Sequence, residues 1–407
     1  KATHFPTRGK MEKDPIKRAL ELRTTLIKGD KVLVADLKDT LQGRDTSKVV
    51  DLMPIVGTVN YPFRTKVNIK QLDPLASEEY GTEFFDVTKH TSEEIEAFTR
   101  QQEFDFPLWF KNDDNFNMKQ VQHYNLPFIL QVAGCNFHDG SASGGCTYCF
   151  VDNESNDGQP GKGKVFLGIN ETIDSMVSAR KKIQSQYADV GFDMDLKVLR
   201  TSGGEPTIAL DWILNTWREI GNRDLDYVGQ MDSNLSTGRL VDDFERRGIF
   251  EPNTLEKLAK YPVKILTALK GVDNENIQNN VQSSTQLADQ EYSLRKIVGA
   301  GFDIFPQMYN PNPETLPAYL ERMDEIIENL SLRIHIGPLK AYGPTTKRLT
   351  LGAEKLGKDP TEFIDAQKKT WDSNYEKGCE VLDTYLRKRH GVGYKEVTRA
   401  DVPVKLK

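Results

Sequence analysis

The sequence predicts an α/β protein: a partial barrel of six β/α units, (β/α)6, with a mixed α/β extension before it and a helix after it. Two observations carry this. From Leu126 onward, apolar strand-like runs alternate with amphipathic helical stretches, the pattern of a parallel sheet with right-handed crossovers. The residues that carry chemistry follow directly on predicted strands, which is where α/β folds place their sites. Six units are too few for a complete eight-unit barrel, so the barrel is expected to be open.

The chain has 407 residues, and at ~150 residues per domain this suits a barrel with additions. Residues 1–120 form the extension, 121–350 the partial barrel and 351–407 a C-terminal helical segment. In the extension, 16–28 reads as a helix because Ala19, Leu20, Leu22 and Leu26 share a face. Segments 31–37 and 61–69 read as strands. Segment 92–101 reads as a helix capped by Thr91 or Ser92, with Glu93 and Glu94 in its first turn. The extension holds no catalytic motif and reads as a structural or substrate-covering part.

In the barrel the expected strands are 128–132, 196–201, 227–233, 263–269, 302–309 and 332–339. Between them helices are expected at 171–184, 212–220, 254–260, 290–299 and 319–330. A last helix covers 361–387, where Trp371, Tyr375, Cys379, Leu382 and Leu386 make a buried stripe. Residues 340–348 are mildly basic and read as a solvated loop. The polar run 152–158 has calcium-ligand residue types without the full twelve-residue pattern, and reads as a surface loop.

Composition narrows the function. Hydrophobic content of 38% and charged content of 28% are those of a globular protein. With a net charge of −6 and no dense Lys/Arg block, nothing signals nucleic-acid binding. No apolar run is long enough to cross a bilayer, so no membrane partner is expected. The first residues, Lys1 to His4, do not open a signal peptide. Four cysteines grouped three-plus-one are unlike a disulfide framework, which points to the cytoplasm.

Cys135, Cys146 and Cys149 sit in the loop after strand 128–132. Three thiolates are one short of the four that close a structural zinc site or a fully protein-held iron–sulfur cluster. A four-iron cluster on these cysteines keeps one iron open, and open positions do chemistry. Cys146 and Cys149, with two residues between them, suit neighbouring irons of one cube, and the Gly/Ser-rich stretch between Cys135 and Cys146 can bend to bring Cys135 back. The competing reading is zinc, with His138 or Asp139 as fourth ligand. The next strand leads into Gly203-Gly204-Glu205-Pro206. The glycines let a ligand lie against the backbone, Pro206 suits a helix start, and Glu205 offers a carboxylate.

With these two motifs on one chain, residues 126–345 resemble the radical S-adenosylmethionine (SAM) superfamily. Cys146-Thr147-Tyr148-Cys149 is similar to its cluster signature and Gly203-Gly204-Glu205-Pro206 to its SAM-amino motif. The resemblance implies a radical-SAM-type barrel and a [4Fe-4S] cluster on Cys135, Cys146 and Cys149. SAM is then chelated at the open iron, with its amino group at Gly203, Gly204 and Glu205 and its adenine near Tyr148 and Phe150. The cluster splits SAM reductively, and the 5′-deoxyadenosyl radical takes a hydrogen atom from the substrate.

Later segments are most similar to the glycyl-radical activating-enzyme branch. Met231-Asp232-Ser233-Asn234 stands where that branch has a Thr-Asn pair facing the ribose and methionine ends of SAM. Lys270 matches the lysine that meets the SAM carboxylate, and Phe305 flanks the adenine. Two departures point away from a true activase: ten residues, not three, separate Cys135 from Cys146, and Ala268 replaces an aspartate.

Three functions follow. The first is a radical SAM enzyme acting on a polar small molecule or biosynthetic intermediate, served by an electron donor such as flavodoxin or ferredoxin. The second is an activase or modifying enzyme for a protein partner. The third is a zinc-stabilised binding protein without catalysis. Two further residues are candidates for the chemistry. Cys379 can return a hydrogen atom to a substrate radical, against the simpler reading of a core thiol. His335, with Arg333 on the same side by alternation, can line the barrel interior together with Gln230, Asp232, Gln307 and Tyr309.

Overall fold

The computed structural model describes residues 14–35, 52–54, 63–66, 128–188 apart from 142 and 162, 197–397, 399 and 402–407. The expected helix at 92–101 lies outside the described residues. Helix α1 (Pro15–Leu26) begins where Asp14 accepts the Ile16 N–H at 2.9 Å, and it buries Ala19, Leu22 and Leu26.

Its chain turns through β1 (Ile27–Lys28) into β2 (Lys31–Ala35), which pairs antiparallel with β5 (Phe128–Val132). The short strands β3 (Leu52–Pro54) and β4 (Phe63–Lys66) form a hairpin that also pairs with β5, and β6 (Lys164–Gly168) lies on β2. The described part of the extension is therefore built into the same sheet as the strands that follow it.

From β5 the sheet is parallel and runs through β7 (Val198–Gly203), β8 (Val228–Ser233), β9 (Val263–Leu269), β10 (Ile304–Tyr309) and β11 (His335–Gly337). These follow β1 and β2 in a central path of eight strands. All six expected strands are present, with β5 and β9 at the expected bounds. Each parallel strand neighbours the next one in the chain, so the order never reverses, unlike a doubly wound sheet.

Crossovers of the usual right hand, taken in that order, bring connecting helices to one face. The core lies there: Leu130, Leu199, Met231, Ile265 and Ile304 are buried together with Ile213 and Trp217 of α4 (Leu210–Asn222), following α3 (Ile169–Ala188), and with Phe244 of α5 (Gly238–Arg246). The register aligns Arg200 with Gln230, Gln230 with Lys264, and Gln307 with His335, so these side chains share the opposite, polar face.

Arg333 is a correction. Residues 330–333 form a helical turn after Asn329, whose φ is +64°, and the strand starts only at His335. Arg333 is fully buried, donating to Arg399 O at 2.6 Å and to Asp303 Oδ1 at 3.0 Å. It ties the chain's end to the sheet and does not share the His335 face.

Residues 340–348 are also corrected, since Gly343–Lys355 is a helix. It packs with the last helix, Pro360–His390, which starts where Asp359 accepts the Glu362 N–H and ends at Gly391 (φ +71°). A second, smaller core joins these two helices to the cysteine loop through Phe137, Tyr148, Val281, Leu349, Phe363 and Trp371. Among the described residues no helix is long and apolar enough to cross a membrane.

Candidate metal centre

The chain leaves β5 at Val132, turns at Gly134 (φ +86°) and reaches Cys135. Both flanks of Cys135 are fixed by backbone bonds. On one side its own N–H donates to Asn156 O at 2.9 Å, and Gly134 N–H donates to Ser155 O at 2.7 Å. On the other side Glu205 N–H donates to Gly134 O at 2.9 Å, and Gly204 N–H to Val132 O at 3.0 Å. The Gly-Gly-Glu turn therefore lies directly on the first cysteine.

The two glycines are there for that contact. A Cβ on Gly204 would stand 1.8 Å from Gly134 O, and one on Gly203 would stand 2.1 Å from Val132 O. Backbone at the end of β5 and at the start of the cysteine loop occupies the space where those two side chains would stand. Pro206 is buried at the first position of the turn Pro206–Ala209.

The segment 152–158 is not a surface loop. Asp152, Ser155 and Asn156 are buried, and Asn153–Asn156 forms a helical turn folded back on Cys135. The long gap between Cys135 and Cys146 is held by two arginines from opposite ends of the chain. Arg18 of α1 donates to His138 O at 3.1 Å and to Asp157 O at 2.9 Å. Arg348, 3% exposed, donates to Gly144 O at 3.2 Å, Cys149 O at 2.5 Å, Val151 O at 3.1 Å and Asn153 Oδ1 at 2.9 Å. Sequence reasoning missed Arg18, Arg348 and Asn156, because no local motif marks a residue that acts across the fold.

The loop offers zinc no obvious fourth ligand. His138 is buried, with Nδ1 accepting from Gly140 N–H at 3.1 Å and Nε2 3.3 Å from Asn153 Oδ1. Burial first, then the charge of Arg348, lowers its pKa to about 4, so the ring is neutral. Asp139 accepts the Ser141 N–H at 2.8 Å. Among the described residues no three His, Cys, Asp or Glu side chains are grouped to hold a single metal ion. One ion needs all its ligands at about 2.0–2.3 Å. A cluster spreads its thiolates over separate irons.

Burial raises the thiols of Cys135 and Cys146 well above their usual range, so a metal must displace their protons. Lys270, immediately after β9, is buried among them. Burial works against its charge, and negative charge on Cys146, Tyr148, Cys135 and Cys149, once they lose their protons, raises its pKa. Among the described residues no carboxylate pairs with it. Its Nζ lies 5.7 Å from the centre of the Tyr148 ring. Tyr148 also meets Tyr309 at 5.8 Å, and its buried hydroxyl has no hydrogen-bond partner among the described residues.

Asn234 joins the group through Nδ2, 3.9 Å from Cys135 Sγ and 2.9 Å from Asn136 Oδ1. Its backbone N–H donates to Glu205 at 2.6 Å. Glu205 is wholly buried and also accepts from Thr207 and Ser233; burial pushes its pKa up to about 7. Both carboxylate oxygens brace the 233–237 turn, and Ser233 serves that brace.

The remaining candidates have other neighbours. Asp232 is on the polar sheet face, paired with Arg200 at 2.8 Å and taking a bond from Gln230 at 3.1 Å. Phe305 lies on the same face between Lys264 (5.2 Å) and the His335 ring (5.9 Å). Phe150 is 39% exposed and stands edge-on to Tyr342 at 6.1 Å. Cys379 packs on the main core beside Tyr375 and Tyr394, while the other three cysteines belong to the smaller core.

No family model matches the chain, and no curated protein matches it.

Proposed function

We propose that the chain is a radical SAM enzyme acting on a polar small molecule or biosynthetic intermediate. The observation that carries this reading is the placement of Lys270: a buried amino group among three thiols, with no carboxylate paired to it among the described residues. A buried cation needs an anion in reach. A thiolate-held cluster and the carboxylate of a bound amino acid both answer that need. The buried Tyr148 hydroxyl, without a hydrogen-bond partner among the described residues, and the Gly-Gly-Glu turn lying on Cys135 fit the same group.

Cys135, Cys146 and Cys149 would hold a [4Fe-4S] cluster, and the cluster's open iron would take SAM. When bound, cluster and SAM together supply an electron for sulfonium cleavage and a 5′-deoxyadenosyl radical for hydrogen abstraction. Lys270 neutralises the carboxylate end of SAM. Tyr148 and Tyr309 give the adenine an aromatic wall, with Phe150 at its outer edge. Glu205 does its work by fixing the 233–237 turn, so that Asn234 stays against Cys135.

The uninterrupted strand order supports the open, partial barrel, with the polar face as its interior. Gln230, Asp232 with Arg200, Gln307 and His335 on that face suit a small polar substrate better than a protein side chain carried in on a partner. The electron comes from a small donor such as flavodoxin or ferredoxin, and an oxygen-labile cluster suits the cytoplasm.

Lys270→Met tests the reading. Iron per chain should stay at the wild-type value, while SAM affinity falls roughly ten- to hundredfold, the worth of one charge-assisted bond. Unchanged SAM binding would remove Lys270 from the site.

A further inference from the structure

The three thiols share a feature that SAM binding does not require. Each has its own nitrogen donor. Asn234 Nδ2 is 3.9 Å from Cys135 Sγ, Lys270 bonds to Cys146, and Asn156 Nδ2 is 3.6 Å from Cys149 Sγ. Asn234 and Lys270 have other tasks in the proposed site. Asn156 has no task there, yet it is the most tightly held of the three. It is 3% exposed, and its own N–H donates to Asp152 O at 3.0 Å. Its Nδ2 also reaches Val151 O at 3.3 Å, and its carbonyl accepts the Cys135 N–H at 2.9 Å. One residue thus touches the first cysteine with its backbone and the last with its side chain.

We propose that Asn156 is a positioning residue that sets the reduction potential of the cluster, an inference resting on the cluster reading above. An N–H aimed at a ligating sulfur stabilises negative charge there. The reduced cluster carries one more electron than the oxidised one, so the bond favours reduction and raises the potential. Asparagine is the residue type the position needs. Aspartate has no donor to offer the sulfur, alanine leaves the sulfur bare, and glutamine carries the amide one methylene too far.

The test is a potentiometric titration of the anaerobically reconstituted full chain without SAM, followed by electron paramagnetic resonance. Asn156→Ala removes the donor. Asn156→Asp keeps the shape and the backbone bond to Cys135 but turns a carboxylate toward the sulfur, and serves if the alanine variant does not fold. Iron per chain should match wild type, and the midpoint should move negative in the order wild type, Ala, Asp. Midpoints equal to wild type, an equal shift in both variants, or folded variants that take up no iron overturn the role of Asn156. A wild-type chain that takes up no iron overturns the cluster reading as well, and so separates the two failures.

Discussion

His138 is buried where a proton is unwelcome. Its ring is shielded from water and faces the Arg348 guanidinium, so it stays neutral down to about pH 4, against an ordinary value of 6.5. Between those values the unfolded chain binds a proton that the folded chain refuses. This contribution to stability is complete above pH 6.5 and is lost as pH falls toward 4, by up to about 3 kcal/mol. His138→Gln should therefore lose less thermal stability than wild type between pH 7 and pH 5. Equal losses would contradict the assignment. The same residue shows what one side chain's type can and cannot tell. A histidine three positions after a cysteine invites a metal reading, but its two nitrogens are already occupied by Gly140 and Asn153, a fact that depends on how the loop folds.

At the scale of elements, the cysteine loop depends on helices far from it in the chain. Arg348 gathers three backbone carbonyls and one side-chain oxygen, and Thr345 of the same helix donates to Cys149 O at 2.9 Å. Arg348→Gln leaves several of these acceptors without a donor, at a cost on the order of 3 kcal/mol. Its melting temperature should drop, and iron retention during gel filtration should fall with it. Full iron retention would show that the loop holds its shape unaided.

These contacts also mark the limit of reading a chain by eye. The strands were legible because an apolar run such as 263–269 declares itself locally. The cysteines and the Gly-Gly-Glu-Pro turn were legible because their chemistry is packed into a few neighbouring residues. Arg18, Arg348 and Asn156 were not, since a guanidinium that acts across the fold looks in sequence like any surface arginine. The 340–348 stretch misled for the same reason: its charge pattern suggested solvent, whereas Arg348 is spent on a buried loop. Arg333 misled by alternation, because a helical turn ending in Ile334 breaks the two-residue period before His335.

For the whole molecule, one sheet separates two environments. The main core, with Ile213, Trp217 and Phe244 from the connecting helices, occupies one face, and charged and amide side chains occupy the other. The cysteine loop sits at the C-terminal ends of the parallel strands, where the sequence placed it, and α1 and the last two helices hold it from both sides. This division leaves polar side chains on the sheet face opposite the main core. The measurement that bears most directly on the account is metal content and SAM turnover of the same anaerobically reconstituted sample. It should contain about four irons per chain, lose them when any of Cys135, Cys146 or Cys149 becomes alanine, and release 5′-deoxyadenosine from SAM when a reductant is added. Zinc in place of iron, or a full complement of iron with SAM left intact, would contradict it.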